Sequence, residues 1–553
     1  MPQIQAWFGK KQFAEKVFIL IIIAAMAARL FAIAAMPDLQ LTDTAYHLGI
    51  TRFVAAEHRL PLPGELPGIS ALPVPLYYFV TALPFALLPI PFTLETVKIF
   101  PLLFSALQLL LAFLLLRRLF PNSYLPGLAF VAVHPMLILY GSVNYVETLA
   151  SVLVLLCFFV YWRFVETGKT AFALAMPFVL GATAMSKLSA TVMVPAFFIM
   201  FLWELSKKKG VAGRSQKIIF FVAASLLLCS AWFAIDFLRT GVLFGANSGD
   251  LANLAAAPGR ANVSLEFLLL APIGFNEAFW SIQPAVLESL PFGPANLLVR
   301  AALTAITLPL LAFILCFSFA AGIKRKEKAG GILLLACFVL ALVPLFTRPR
   351  VLFYPRMLLP AMPLFAIAFS AAFGMRPKGE SGKKGKRQPN RLAFMLPLLK
   401  KAMLPLFCLF AAFSLAYSAA YVYYYHSDYA GHLPLFAEIE KLPPASAVAI
   451  HSNKARQLGF LAPQVQAIAC SENRADWQDK ALLCGNEQGE KKPVNTNDSA
   501  ELYEKLKALG ATHIADTCYH KNPWGKQAVA ELVANNRLAA VYSDACSTLY
   551  EIK

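Results

Sequence analysis

Asp43, Tyr46 and His47 stand together in "LTDTAYHLGITRF", where an acid and a histidine follow directly on a long apolar run. On a helix beginning near Thr42, steps of about 100° per residue put Asp43, Tyr46, His47, Ile50 and Val54 on one face and Arg52 and Arg59 on the other. A carboxylate turned toward an apolar face has its pKa raised by burial unless a cation offsets it, which suits a group that takes up a proton. Asp43 also fits an N-cap that accepts amide hydrogens of the first helical turn. A second acid, Glu147, opens an apolar run in "GSVNYVETLA". There it either stabilises the dipole of its own helix, or faces Asp43 across a cavity and binds a divalent metal, a basic side chain or a reacting molecule. Glu147 and His47 are the candidate ligands for such a metal, and a divalent ion is the one candidate cofactor.

The cations that complement these acids are Lys187 in "AMSKLSA" and Arg348, Arg350 and Arg356 in "TRPRVLFYPRMLLPAMP". Guanidinium forks bind phosphate oxygens at two points, so three arginines in this short stretch fit a phosphate clamp. Arg350 and Arg356 equally fit side chains that snorkel to lipid head groups, and Lys187 fits a marker of the turn between two helices. A long segment, 239–294, carries Asn276, Glu277 and Trp280 in an aromatic, amphipathic stretch, as lids and substrate walls do.

The elements that must hold these groups are set by composition. With 58% hydrophobic and 14% charged residues, the chain is a polytopic membrane protein, not a soluble one. Apolar runs lie near 17–36, 94–116, 123–141, 147–165, 171–186, 188–205, 217–238, 295–322, 330–347, 353–374 and 394–423, about eleven transmembrane helices. The run at 71–91 carries five prolines, Pro73, Pro75, Pro84, Pro89 and Pro91. If it does not cross, the basic clusters near 117, 207, 324 and 376–401 share the side of the N-terminal lysines, as the positive-inside bias requires. It is therefore expected as a juxtamembrane or re-entrant helix in the first outer loop. The N-terminus is then cytoplasmic, and Asp43, Glu147, Lys187, the three arginines and the C-terminal part are extracytoplasmic. The formal charge of +18 reports this topology and contact with anionic membrane lipids, and nucleic acid is not an expected partner.

Residues 1–426 thus read as a membrane domain and 427–553 as a soluble α/β domain. In the latter, "SAVAIHS" and "ATHIADT" read as strands, "SAELYEKLKALG" as a helix ended by Gly510, "LAAVYSDACSTLYEIK" as a hairpin and 471–498 as a loop. Cys470, Cys484, Cys518 and Cys546 allow one or two disulfides there, with partners that spacing does not assign.

The order and sidedness of "LTDTAYH", "PVPLYYF", "NYVE", "MSKLSATVMVPA" and "YPRMLLPAMPLFA" over residues 10–375 resemble the integral-membrane GT-C glycosyltransferases. Nearest in kind are the lipid-linked aminoarabinose transferases and the protein O-mannosyltransferases. The resemblance implies a mainly α fold of the GT-C type. It implies transfer of a sugar from a polyprenyl-phosphate donor to a protein, glycan or lipid acceptor on the extracytoplasmic face. It matches Asp43 to the first-loop acid at the reaction centre, Glu147 to the second-loop acid, Lys187 to the outer lysine and Arg356 to the arginine of an "RYLLP"-like motif. The chain departs from that pattern in "TD", where a "DE" pair is common, and in Leu72 before "PVP", where the aminoarabinose transferases carry a lysine near the "PLYY"-like segment.

A transporter or flippase of a lipid-linked or anionic substrate is the rival reading. It calls for ionisable residues at mid-span, whereas most charges here stand at span ends, Asp236 and Arg239 included.

Overall fold

The computed structural model describes residues 11–36, 42–62, 65–66, 74–191, 193–207, 214–240, 301, 304–307, 309–310, 359–360, 362–374, 391–462, 464–472, 481–486, 492–495, 498–517, 524, 526–544 and 547–553. In chain order its principal helices are α1 (Lys11–Ala35), α2 (Thr42–Glu57), α3 (Leu76–Leu87), α4 (Ile99–Leu119), α5 (Tyr124–Val133), α6 (Val146–Thr167), α7 (Thr170–Ala184), α8 (Val194–Lys207), α9 (Arg214–Thr240), α10 (Met362–Gly374) and α11 (Arg391–Glu440). The remainder alternates strand and helix: β1 (Ala447–His451), α12 (Ser452–Leu461), β2 (Gln466–Glu472), β3 (Ala481–Asn486), β4 (Lys492–Asn495), α13 (Ser499–Ala508), β5 (His513–Thr517), α14 (Lys526–Ala534), β6 (Leu538–Ser543) and β7 (Ser547–Ile552).

The chain is mainly helical, and among the described residues five helices are long and apolar enough to cross a membrane, or six if one bent pair counts as a span. They make the chain a multi-pass membrane protein. The run expected at 330–347 lies outside the described residues, and so does about three quarters of that at 295–322. The single span expected at 123–141 is instead broken, Tyr124–Val133 and Pro135–Ser142 meeting at 57°. Pro135 is the cause, since it has no N–H to give the carbonyl four residues back. Among the described residues, the proline-rich run at 71–91 forms the twelve-residue α3, too short to span.

Two compact units emerge, one drawn from Met1–Ala34, Val74–Tyr77 and Glu95–Val422, the other from Ala35–Pro73, Tyr78–Leu94 and Tyr423–Lys553. In the first, close helix packing depends on small residues. A Cβ on Gly127 of α5 would stand 2.3 Å from the Ala366 carbonyl oxygen of α10, and one on Gly181 of α7 would stand 2.7 Å from Leu228 of α9.

The second unit holds a seven-stranded mixed sheet in the order β4-β3-β2-β1-β5-β7-β6, with β1 parallel to both β2 and β5. Alternation along the strands builds two cores. Ala447, Ala449, Ile468 and Ile514 face Leu502, Leu506, Trp524 and Leu532 of the α13 and α14 side. Val448, Ile450, Ala469 and Ala515 face Leu435, Phe436 and Ile439 of α11 with Ala455 and Leu458 of α12. The helix expected to end at Gly510 does so, with Gly510 at φ +76°, where a residue with a Cβ is strained. Residues 471–498, expected as a loop, instead contain β3 and β4. Both strands are short and carry no polar/apolar alternation to read, and β3 is held in register by the cross-strand disulfide Cys470–Cys484. At the sheet margins, β4 carries Lys492 and Pro493, and β6 is bulged between Ala540 and Tyr542.

Candidate active site

In the first unit the site is built from the break at Pro135. Helix α5 ends at Val133, and its last carbonyls lack helical partners. The fully buried Arg29 of α1 donates from Nη2 to the Val131 carbonyl and from Nη1 to the Ala132 carbonyl, both at 2.9 Å. Ser414 of α11 donates its hydroxyl to the Val133 carbonyl. Three orphaned acceptors are thus satisfied by side chains of two other helices, which fixes where the chain turns.

Beyond the break, Tyr140–Ser142 form a single tight turn. Ser105 of α4 donates to the Gly141 carbonyl at 2.8 Å, and Thr148 of α6 donates to the Tyr140 carbonyl at 2.9 Å. A Cβ on Gly141 would lie 2.6 Å from the Ser105 hydroxyl, so a side chain there would push that hydroxyl off its present position. One turn further along α6, Ser151 donates to the Thr148 carbonyl at 2.9 Å and accepts from Gln108 Nε2 at 2.5 Å. This polar belt anchors the turn to α4 and α6, and the chain enters α6 through the extended residue Tyr145.

Glu147 stands in the first turn of α6 and is only 1% exposed. Lys187, in the turn after α7, donates from Nζ to its Oε1, and the lysine side chain keeps 20% exposure. Glu147 Oε2 is buried and has no hydrogen-bond partner among the described residues. The pairing joins two residues that the sequence separated into an acidic and a cationic group. A buried carboxylate with one oxygen ion-paired and one vacant is an acceptor for an incoming hydroxyl, amine or water.

In the second unit, α2 begins at Thr42 as expected, which puts Asp43 in its first turn. The face predicted to be apolar is buried at His47, Ile50 and Val54, while Arg52 and Arg59 are exposed and Tyr46 is half-buried. His47 Nδ1 lies 2.7 Å from the Tyr78 hydroxyl of α3. One turn on, Thr51 donates to the His47 carbonyl at 2.9 Å and meets the Thr81 hydroxyl at 3.3 Å. Two rungs four residues apart on α2 therefore lock it to α3. After α2, Arg59 grips Glu65 with both nitrogens, at 2.7 and 2.8 Å, and the Leu62 amide adds a 2.6 Å bond. The Arg59 fork, with the Leu62 amide, holds the Glu65 carboxyl down at about 2.

Arg348, Arg350, Arg356, Asn276, Glu277 and Trp280 lie outside the described residues. Sequence reasoning missed Arg29, Tyr78 and the belt of Ser105, Gln108 and Ser151. A lone arginine inside an apolar run was the available signal, because a charge there must be satisfied by something. Glu147 Oε1 holds the Lys187 ammonium and His47 Nδ1 meets the Tyr78 hydroxyl, so each would offer a metal at most its other atom. Among the described residues no cluster of three His, Cys, Asp or Glu side chains could hold a metal ion.

No family model matches the chain, and no curated protein sequence does. Solved structures do. ArnT from Cupriavidus metallidurans in the apo state has a TM-score of 0.51 and 13% identity, over 97% of this chain and 98% of that one. The same protein bound to undecaprenyl phosphate gives 0.49 and 12%, over 96% and 97%. The Archaeoglobus fulgidus oligosaccharyltransferase tethered with an acceptor peptide gives 0.49 and 12%, over 99% and 75%. Near-complete mutual coverage with apo ArnT means that the likeness extends over the helical part and the sheet alike. The fold of this chain is similar to that of ArnT, an integral-membrane GT-C enzyme.

Proposed function

We propose that the chain is a membrane glycosyltransferase that moves a sugar from a polyprenyl-phosphate donor to an acceptor on the extracytoplasmic face, with Asp43 as general base. The observation that carries this reading is the Glu147–Lys187 pair, a buried carboxylate at a helix N-terminus that keeps one oxygen vacant, within a fold similar to that of ArnT. The domain assignment follows the same reading, with residues 1–426 as the catalytic membrane part and 427–553 as an extracytoplasmic α/β domain.

The chemistry assigned to each residue conserves atoms and charge. Asp43 removes the proton from the acceptor hydroxyl or amine, whose freed electron pair attacks the anomeric carbon of the donor sugar. The bond from that carbon to the phosphate oxygen breaks, and its electrons leave on the phosphate. Arg348, Arg350 and Arg356 neutralise the leaving group through two-point guanidinium contacts. Lys187, oriented by Glu147, adds a further positive charge, and Tyr46 and His47, on the helix that carries the base, are assigned to substrate binding. The polyprenyl tail needs a groove between spans.

The test uses the full-length protein in lipid nanodiscs with a radiolabelled polyprenyl-phosphate sugar, preceded by mass analysis of co-purified lipid. A bound polyprenyl phosphate or its sugar conjugate and a transfer activity abolished by Asp43→Asn, with folding and insertion unchanged, are the expected results. Full activity in Asp43→Asn removes Asp43 from the mechanism. Movement of an intact lipid-linked substrate across the bilayer without cleavage would favour the transporter reading.

A further inference from the structure

The helix that carries Asp43 is seated by the C-terminal sheet unit, and the seat contains a buried charge. Helix α12 packs against β1 and β2 on one side and also against α2. Its Ala455 and Leu458 belong to the core under the sheet. Lys454 and Gln457 each precede one of those residues, so they lie on the flank about 100° round the helix axis from the sheet-facing stripe. That flank would face water if the sheet were the sole neighbour. Instead both residues are 1% exposed, so another element covers them. Helix α2 packs against α12 and is such an element, and its buried Ala45 lies about 160° round the axis from His47, away from the rungs that lock α2 to α3.

A lysine and a glutamine in such a seam are an odd choice for stability alone. A buried ammonium is costly to desolvate, and well-packed apolar residues of similar size serve as well or better. Their use is to fix one arrangement of two helices, since a displaced seam would strand a charge and an amide without partners. We propose that Lys454 and Gln457 are positioning residues that set the register of α2 on α12. The C-terminal unit is then a working part of the transferase, because it fixes the first turn of α2, where Asp43 stands. This rests on Asp43 being the general base, but the seating of α2 has its own readout.

The experiment compares full-length Lys454→Met, which keeps the side-chain length and removes the charge, with Lys454→Arg and the parent protein in nanodiscs. Hydrogen exchange is followed by mass spectrometry on peptides covering 42–57 and, as an internal reference, on β1 and β5. Loss of one charge-assisted bond corresponds to at least about tenfold faster exchange over α2 in Lys454→Met. The strands should be unchanged, and Lys454→Arg should restore protection. Transfer should show a lower kcat at unchanged KM for the donor and a shifted acid limb of the kcat–pH profile. If Lys454→Met does not fold, Gln457→Leu carries the same comparison. Unchanged α2 exchange in the folded variant overturns the proposal whatever the activity does. Absence of transfer by the parent protein, with α2 exchange still accelerated in Lys454→Met, overturns the assigned function and leaves the seating in place.

Discussion

Replacing Arg29 by Met tests whether the break in α5 is held by a charge from the first span. The substitution removes the bonds to the Val131 and Ala132 carbonyls and a third, at 3.1 Å, to Ala25 in its own helix. Val131 has no alternative donor, since the residue four positions on is Pro135. A hydrogen bond from a charged donor contributes about 1.5–3 kcal/mol, so the two inter-helix bonds are worth about 3–6 kcal/mol at face value. In a membrane the unfolded reference also finds partners, and methionine recovers some packing, which brings the expected cost to about 3 kcal/mol. Equilibrium unfolding in a detergent titration measures it. Pro135→Ala then serves as the second arm of a double-mutant cycle, because an alanine N–H reaches the Val131 carbonyl and lets α5 continue. In that background Arg29→Met should cost at least about 1 kcal/mol less than in the parent protein. A cost below about 1 kcal/mol, a gain in stability, or strict additivity with Pro135→Ala would each refute the capping role, and with it the account of how the chain is turned toward Glu147.

Three further outcomes are expected. Glu147→Gln and Lys187→Met should each destabilise by about 3 kcal/mol in the same titration, whereas the double variant should recover most of that loss, since what costs most is the charge left without its partner; additive costs would mean that the pair is not formed. The depressed Glu65 carboxyl supports the folded loop fully above its ordinary value near about 4.3, and that contribution is lost as pH falls from there through about 2. Glu65→Gln should therefore flatten the acid dependence of stability in that window, and an NMR midpoint for Glu65 near its ordinary value would contradict the fork. Single cysteines at 380–388 should be shielded from an impermeant thiol reagent in intact cells while one at 490–497 reacts, and the reverse pattern overturns the assigned topology.

What was legible from sequence followed from periodicity and from residues whose local role is strong. Helix α2 starts at Thr42 with His47, Ile50 and Val54 buried, positions three or four residues apart along one face, whereas the burial of Ala45 and Leu48 on the Arg52 side was not legible. Strands β1 and β5 were readable as apolar runs, and the α13 terminus was readable from Gly510. A basic partner for Glu147 was among the expectations, but its identity as Lys187 was not legible, since forty residues and a helix reversal separate the two and each has an adequate local explanation. Arg29 escaped for a related reason: its partners are backbone carbonyls made available by a proline in another helix, and backbone carbonyls carry no sequence signature. The pairing of Cys470 with Cys484 required the antiparallel register of β2 and β3, and the sequence of β3 does not advertise a strand.

The two margins of the sheet carry a consequence for how these molecules live beside one another. Proteins confined to a membrane plane meet repeatedly in similar orientation, the condition under which exposed strands zip into filaments. Here one outermost strand, β4, lacks a donor at Pro493 and bears a lysine next to it, and the other, β6, is kinked by its bulge. Neither presents the straight, complete row of donors and acceptors that an incoming strand would copy. The sheet is closed to growth at both ends, so crowding in the bilayer brings neighbouring molecules together without templating their polymerisation.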